Sequence, residues 1–211
     1  MNPVRLPIFC YFFHVTFPNL TGINRLPYCS DADLQPDVLL ESEERFAGRL
    51  LRLTVDLVRV GNGVEARREV VHHLGGVGIV ALTDAGEVLL VRQYRHPAQE
   101  LLWEIPAGTR EPGESVLETA RRELAEETGY GAEAWLGVGA TFLAPGYSTE
   151  LLWYFRATGL APVPGHTPDP DEALQARLFT PAELAQLVSS GEMRDAKTLA
   201  GLALAGILRL E

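Results

Sequence analysis

The sequence has few cysteines and no hydrophobic segment long enough to cross a membrane. Its two cysteines are Cys10 and Cys29, and neither belongs to a CxxC pair. This excludes a disulfide framework and a cysteine-rich zinc site, and it favours the reducing cytoplasm as the location of the protein. The most apolar N-terminal run, residues 8–17, is shorter than the roughly 20 residues that a membrane-spanning helix needs. We therefore expect no membrane partner.

The sequence also has little positive charge. Lysine and arginine together number 18 against 28 aspartates and glutamates, which gives a formal net charge of −10. Because nucleic acids are held chiefly by basic side chains, this balance argues against general nucleic-acid binding. An anionic small-molecule substrate would need metal ions and local arginines to bind to such a chain.

Length and composition fit one catalytic domain with an N-terminal extension. The 211 residues are 46% hydrophobic and 22% charged, which allows a sizeable core. We expect the domain over residues 37–211, with N-terminal strands at about 46–72 and the catalytic core at about 73–211. Residues 1–36 are expected to have no catalytic role, as a poorly ordered extension, an extra surface strand or the product of an upstream start codon.

A glutamate-rich segment, GTREPGESVLETARRELAEETGY over residues 108–130, is the most informative part of the chain. Pro112 and Gly113 predict a turn, and Ser115 followed by Glu118 predicts the capping box of a helix. Gly129 can adopt the left-handed conformation that ends a helix. The segment therefore predicts a turn followed by a helix of about three and a half turns.

Three carboxylates of this helix lie on one side of it. Glu123, Glu126 and Glu127 fall within an arc of roughly 100° at helical spacing. Like charges this close raise one another's pKa unless a cation neutralises them, and oxygen ligands suit Mg²⁺ or Mn²⁺. The pattern indicates a divalent-metal site, with a solvated charged helix surface as the alternative.

The spacing of the whole segment matches the Nudix box, GX5EX7REUXEEXGU, in which U is a bulky apolar or aromatic residue. The matching positions are Gly108, Glu114, Arg122, Glu123, Leu124, Glu126, Glu127, Gly129 and Tyr130. The sequence thus resembles the Nudix hydrolases, which cleave nucleoside diphosphates linked to another group and use Mg²⁺ held by the box glutamates.

The resemblance implies a role for each matching residue. Glu123 and Glu127 would be the principal metal ligands and catalytic residues, with Glu126 in support and the backbone carbonyl of Ala107 as a further ligand.

The other box residues would be structural. Gly108 would serve backbone geometry. Arg122 follows Glu118 and Glu114 by one and two four-residue steps, so it is expected to pair with those acids and fix the loop on the helix.

The order of elements predicts an α/β chain, an α+β sandwich in which a mixed β-sheet lies between helices. This is also the Nudix fold. Gly61-Asn62-Gly63 predicts a hairpin between residues 50–60 and 64–71, an N-terminal antiparallel strand pair. That pair resembles the N-terminal sheet of the ADP-ribose pyrophosphatase branch, which implies a homodimer that exchanges these strands.

Flanking segments resemble the same branch and imply substrate-binding residues. In the segments VRQYR (91–95) and EIPAG (104–108), Arg95 would clamp the substrate diphosphate, because a guanidinium can bridge two phosphate oxygens. Glu111 would approach the diphosphate or its metals. In the loop APGYSTE (144–150), Thr149 stands where an acid is frequent, and Glu150 would accept hydrogen bonds from ribose hydroxyls. Each of these residues has a solvated surface role as its alternative.

The predicted reaction is Mg²⁺-dependent hydrolysis of ADP-ribose or a related nucleotide sugar to AMP and a sugar phosphate. A general base must take a proton from the attacking water. The resemblance assigns this role to Glu172 in the acidic loop near residues 168–172, with a box glutamate as the alternative. The rival functions are cleavage of another nucleotide sugar, such as GDP-mannose, and a non-catalytic module that senses ADP-ribose.

Overall fold

The computed structural model describes residues 35–164 and 174–208. The strands in these ranges are β1 Val38–Ala47, β2 Leu51–Arg59, β3 Glu65–His73, β4 Gly76–Leu82, β5 Val88–Arg95, β6 Glu100–Glu104, β7 Ala107–Thr109, β8 Tyr130–Phe142, β9 Leu151–Pro162 and β10 Leu174–Phe179. The helices are α1 Val116–Thr128, α2 Pro181–Ser189 and α3 Ala196–Leu204. The predicted extension over residues 1–36 lies almost entirely outside the described ranges.

The N-terminal strands form a separate antiparallel sheet in the order β1–β2–β3. The predicted hairpin is present as β2 and β3, with Leu51 paired to His73 at its open end. β1 is a third strand that the sequence did not predict. All ten of its residues are exposed, so it has no buried face and therefore no apolar alternation from which to recognise a half-buried strand.

The larger sheet has the order β10–β5–β4–β9–β8, with β6 paired to β5 and β7 paired to β4. β4 and β9 are parallel, whereas the other pairs are antiparallel. The predicted mixed sheet is thereby confirmed. Because β7 lies beside the first residues of β4, the glycine that opens the box is fixed to the edge of the core.

Helices cover both faces of the larger sheet, as the fold class predicts. On one face, Ala120 and Leu124 of α1 pack against Val77 and Ile79 of β4. On the other face, apolar residues of α2 and α3 pack against alternate residues of the same strands, including Val80. No helix in the described ranges is long and apolar enough to span a bilayer.

Candidate active site

A cleft of about 760 Å³ opens where α1, β7, the start of α3 and the last residues of β3 meet. Its volume is in the range of small-ligand sites. The predicted site residues that line it are Arg95, Ala107, Gly108, Glu111, Arg122, Glu123, Glu126 and Glu150. The structure therefore places predicted residues from four separate segments of the chain around one cavity.

A capping box fixes the start of α1. The Ser115 side chain accepts the Glu118 N–H, and the Glu118 carboxylate accepts the Ser115 N–H, which confirms the capping box. Gly129 ends the helix in the left-handed conformation with φ of 70°. Because both ends are set, the glutamates of the last two turns have a fixed direction relative to the sheet.

Arg122 binds three carboxylates, those of Glu114, Glu123 and Glu126. These four residues and the neighbouring Glu127 of the same helix are called the acidic network. The Nε and NH2 of Arg122 donate to Glu114 over 2.9 and 3.1 Å. Its NH1 donates to Glu123 and Glu126 over 2.8 and 2.9 Å. The hydrogen bonds that Arg122 donates to Glu114 and the nearby charge of Glu123 raise the pKa of Arg122.

Glu114 joins the turn before the helix to Arg122. The hydrogen bond from Arg122 lowers the pKa of Glu114 to about 2, and hydrogen bonds from the Glu111 N–H and the Thr119 hydroxyl add to the effect. The expected second partner of Arg122, Glu118, has its carboxylate on the Ser115 N–H instead. Glu114 and Arg122 thus hold the turn against α1, which is the geometry of a bracing pair.

Glu127 and Glu123 contact the backbone of β7. The side chain of Glu127 is buried, and its Oε2 accepts the Ala107 N–H over 3.0 Å. Glu123 lies against Gly108 so closely that a Cβ at position 108 would overlap its carboxylate. Glycine at this position therefore leaves room for the Glu123 carboxylate and does not serve a special backbone conformation.

The oxygen donors of this region suit a divalent cation. Glu123, Glu126 and Glu127 supply hard carboxylate ligands of the type that Mg²⁺ prefers. Within residues 35–164 and 174–208, no three acidic, histidine or cysteine side chains converge closely enough to enclose an ion. Arg122 and the Ala107 N–H already bind carboxylate oxygens that could serve as ligands. The chemistry of these residues therefore fits a divalent cation, and their hydrogen bonds to Arg122 and to the Ala107 N–H compete with binding of that cation.

A second charged cluster lies where β5, β6 and α3 meet. This Glu104 network consists of Arg95, Glu104, Asp195 and Lys197. Arg95 donates from Nε and NH2 to the two oxygens of Glu104 over 2.8 and 2.6 Å. Lys197 binds Glu104 and also Asp195, the N-cap of α3. Part of the guanidinium of Arg95, the predicted diphosphate clamp, is therefore already hydrogen-bonded within the protein.

Glu104 is buried, with only 1% of its surface exposed. Burial by itself raises the pKa of its carboxyl, but the hydrogen bond from Arg95 and the charge of Lys197 outweigh it and lower the pKa. The sequence did not predict that Glu104 and Lys197 would bind each other beside Arg95 at the site. The sole local signal for Lys197 is its position just after the capping residue Asp195 at the start of a helix.

The N-terminal sheet and the loop over residues 144–150 complete the cleft. Glu150 lines it, with Oε1 3.8 Å from Nδ1 of His73 at the end of β3. Arg49, from the turn between β1 and β2, and Arg110 also line it, and the sequence analysis assigned no role to either. Glu111 is exposed at the rim, and its N–H donates to Glu114. Glu172, the predicted general base, lies outside the described residues.

Comparison with known proteins identifies the family. Residues 72–202 match the NUDIX domain model. The chain is 38% identical over 160 residues to an ADP-ribose pyrophosphatase of Bacillus subtilis, covering 75% of this chain and 86% of the relative. It is 39% identical over 165 residues to an ADP-ribose pyrophosphatase of Mycobacterium tuberculosis, covering 77% and 80%.

A solved structure has the same fold. A crystal structure of an ADP compounds hydrolase superposes with a TM-score of 0.72 at 26% identity, and the match covers 82% of this chain and 94% of that one. The domain match, the two relatives and the intact box on α1 agree with one another. This chain belongs to the Nudix family.

Proposed function

We propose that this protein hydrolyses the diphosphate bond of ADP-ribose, or of a related nucleoside diphosphate sugar, to give AMP and a sugar phosphate. The cleft carries this proposal, because it brings the box glutamates Glu123 and Glu126 together with Arg95, Lys197 and Glu150 in one cavity. Acids that can hold a metal and cations that can bind phosphate are the two components that diphosphate cleavage requires.

The relatives support the choice of substrate. Two of them are named ADP-ribose pyrophosphatases and align with at least three quarters of this chain. The VRQYR and EIPAG segments, which resemble that branch, supply Arg95, Glu104 and Ala107 to the site. Cleavage of another nucleotide sugar, such as GDP-mannose, is the alternative within the same chemistry.

Nudix hydrolases generally use divalent metal ions, and we assign Mg²⁺ here, with Mn²⁺ as a substitute. Glu123, Glu126 and Glu127 would hold it, with the Ala107 carbonyl as a further ligand. When bound, such an ion supplies charge neutralisation at the diphosphate and a lowered pKa for a bound water.

The remaining residues bind and orient the substrate. Arg95 is held in one orientation by Glu104, which fixes the direction of its guanidinium and lowers the entropy cost of clamping a phosphate. Glu111 and Glu150 both line the cleft. Glu111 would approach the diphosphate, and Glu150 would accept hydrogen bonds from the sugar hydroxyls. A proton from the attacking water would pass to Glu172 or to a box glutamate.

We further propose a homodimer built on the N-terminal sheet, in the cytoplasm. β1 exposes Val38, Leu39 and Phe46, each with more than half of its surface accessible. A row of exposed apolar residues on an edge strand favours association with a second surface. The scarcity of cysteines supports the reducing compartment.

Release of AMP from ADP-ribose with Mg²⁺ tests the proposal, with GDP-mannose and other nucleotide sugars assayed in parallel. We expect ADP-ribose to give the highest kcat/KM. The variant Glu127→Gln should lower kcat at least about 100-fold, since it removes one carboxylate ligand. Glu118→Gln is the matched control, because it lies on the same helix and glutamine preserves the capping box.

Two results would contradict the proposal. Hydrolysis of other nucleotide sugars without AMP release from ADP-ribose would refute the substrate. A Glu127→Gln variant that kept most of the activity would refute the assigned metal ligands. Binding of ADP-ribose without turnover by the unmodified protein would favour the sensing module instead.

A further inference from the structure

The loop over residues 144–150 is fixed to the end of the N-terminal sheet by backbone hydrogen bonds. The N–H of Val71 donates to the carbonyl of Tyr147 over 2.8 Å, and the N–H of Thr149 donates to the carbonyl of Val71 over 2.9 Å. Val71 and Ser148 accordingly form a parallel bridge outside the named strands. The loop that carries Glu150 is thus an extension of the edge of β3.

The side chain of Thr149 adds a second attachment to the same strand. Its hydroxyl accepts the His73 N–H over 3.0 Å and faces the His73 carbonyl at 3.4 Å, within donor range. One hydroxyl can accept and donate at the same time. Valine has the same shape but can do neither, so this attachment depends on the hydroxyl and not on the volume of the side chain.

Glu150 follows Thr149 directly and is fixed on its other side as well. Its N–H donates to the Ser148 hydroxyl over 3.2 Å, and its carbonyl accepts the Leu143 N–H over 3.2 Å. The imidazole beside its carboxylate is oriented too, because His73 Nδ1 accepts the Gly75 N–H over 3.0 Å. The backbone of Glu150 therefore has a defined position at the cleft, and its carboxylate, 30% exposed, lies 3.8 Å from His73 Nδ1.

We propose that Thr149 is a positioning residue that fixes Glu150 for the hydroxyls of the substrate sugar. By binding both backbone groups of His73, it sets the direction in which the chain enters Glu150. The inference rests on the proposed function and deepens it, because the N-terminal sheet then supports the sugar side of the site. The rest of the cleft, around Glu123 and Arg95, does not depend on this attachment.

A purely structural role for Thr149 makes a different prediction. If its hydroxyl only joined the N-terminal sheet to the core, its loss would affect every substrate to the same extent. If it positions Glu150, the loss is confined to substrates with a sugar on the terminal phosphate. The loss also disappears when Glu150→Gln removes the charge of the carboxylate that accepts hydrogen bonds from that sugar. Substrate comparison and a double-mutant cycle separate the two roles.

The experiment compares Thr149→Val with the conservative variant Thr149→Ser on two substrates. One is ADP-ribose, and the other is ADP with a methyl ester on its terminal phosphate, which keeps the adenosine and the diphosphate but lacks the terminal ribose. We expect Thr149→Val to raise KM for ADP-ribose about fivefold to tenfold, with kcat and the methyl ester changed less than about twofold. Thr149→Ser should restore the KM of the unmodified protein.

The cycle adds Glu150→Gln, alone and with Thr149→Val. We expect the double variant to have the KM of Glu150→Gln alone, because Thr149 acts through that carboxylate. Equal losses on both substrates, or independent losses in the cycle, would overturn the inference while the proposed function stands. Unmodified protein that releases no AMP from ADP-ribose would overturn both, and this is measured first.

Discussion

Replacing Glu114 with glutamine tests whether the Arg122 network stabilises the fold through charge. The Glu114 carboxylate receives two hydrogen bonds from Arg122, of 2.9 and 3.1 Å, and one from the Thr119 hydroxyl. Glutamine has nearly the same shape but no negative charge. The substitution therefore removes the charge and one of the two oxygens that accept from Arg122, with little change in packing.

The size of the effect follows from the pKa of Glu114, which is lowered from 4.5 to about 2. A change of that size corresponds to at most about 3 kcal/mol. Both side chains keep between a fifth and a quarter of their surface exposed, and solvent screening reduces the expected contribution to about 1–2 kcal/mol. A lowered pKa means that this stabilisation is complete above about pH 4.5 and is lost as the pH falls towards 2.

Urea unfolding followed by circular dichroism between pH 7 and pH 3 measures this contribution. We expect Glu114→Gln to lower the free energy of unfolding by about 1–2 kcal/mol at pH 7, with a difference that shrinks below about pH 4.5. Glu69→Gln on exposed β3 is the control for loss of one surface charge. A difference between Glu114→Gln and the unmodified protein that stayed constant down to pH 3 would refute the charge-based explanation.

Three further substitutions test other contacts of the cleft. Gly108→Ala should lower kcat on the order of 100-fold with the fold retained, because its methyl group displaces the Glu123 carboxylate; steady-state kinetics and circular dichroism check this. Arg95→Lys should raise KM about tenfold, since it keeps the charge and loses the planar fork; an unchanged KM would contradict the clamp. Glu104→Ala should lower the free energy of unfolding in urea by about 1.5–3 kcal/mol, because Arg95 loses its carboxylate partner and Lys197 keeps only Asp195. The exposed Glu100→Ala, its control on the same strand, should cost less than about 1 kcal/mol.

The sequence predicted the parts of the site that are encoded locally. The turn, the capping box and the end of α1 are each set by residues within a few positions of one another. The roles of Ser115, Glu118 and Gly129 could therefore be predicted without knowledge of the fold. The two layers of helices followed in the same way from the order of elements. Predictions of this kind succeed because hydrogen bonds close over short sequence distances.

Long-range partners could not be predicted in that way. Lys197 reaches Glu104 across 93 residues, and Thr149 reaches His73 across 76. The sequence around Lys197 or Thr149 does not indicate the partner of either residue, because the packing and register of the sheet determine which residues meet. β1 was missed for a related reason, since a strand that buries neither face has no apolar alternation.

Charge separation within the cleft links its two networks to the proposed chemistry. Arg122 is one cation among four carboxylates, so the acidic network keeps a net negative charge even after its hydrogen bonds are made. A diphosphate is also negative, and the like charges would repel it from this side. In the Glu104 network, the positive charges of Arg95 and Lys197 are balanced by Glu104 and Asp195. This network therefore orients its two cations but carries no excess positive charge. Arg49 and Arg110 also line the cleft. We expect a cation held by the box glutamates to neutralise the acidic network, so binding of that cation and of the substrate should each strengthen the other.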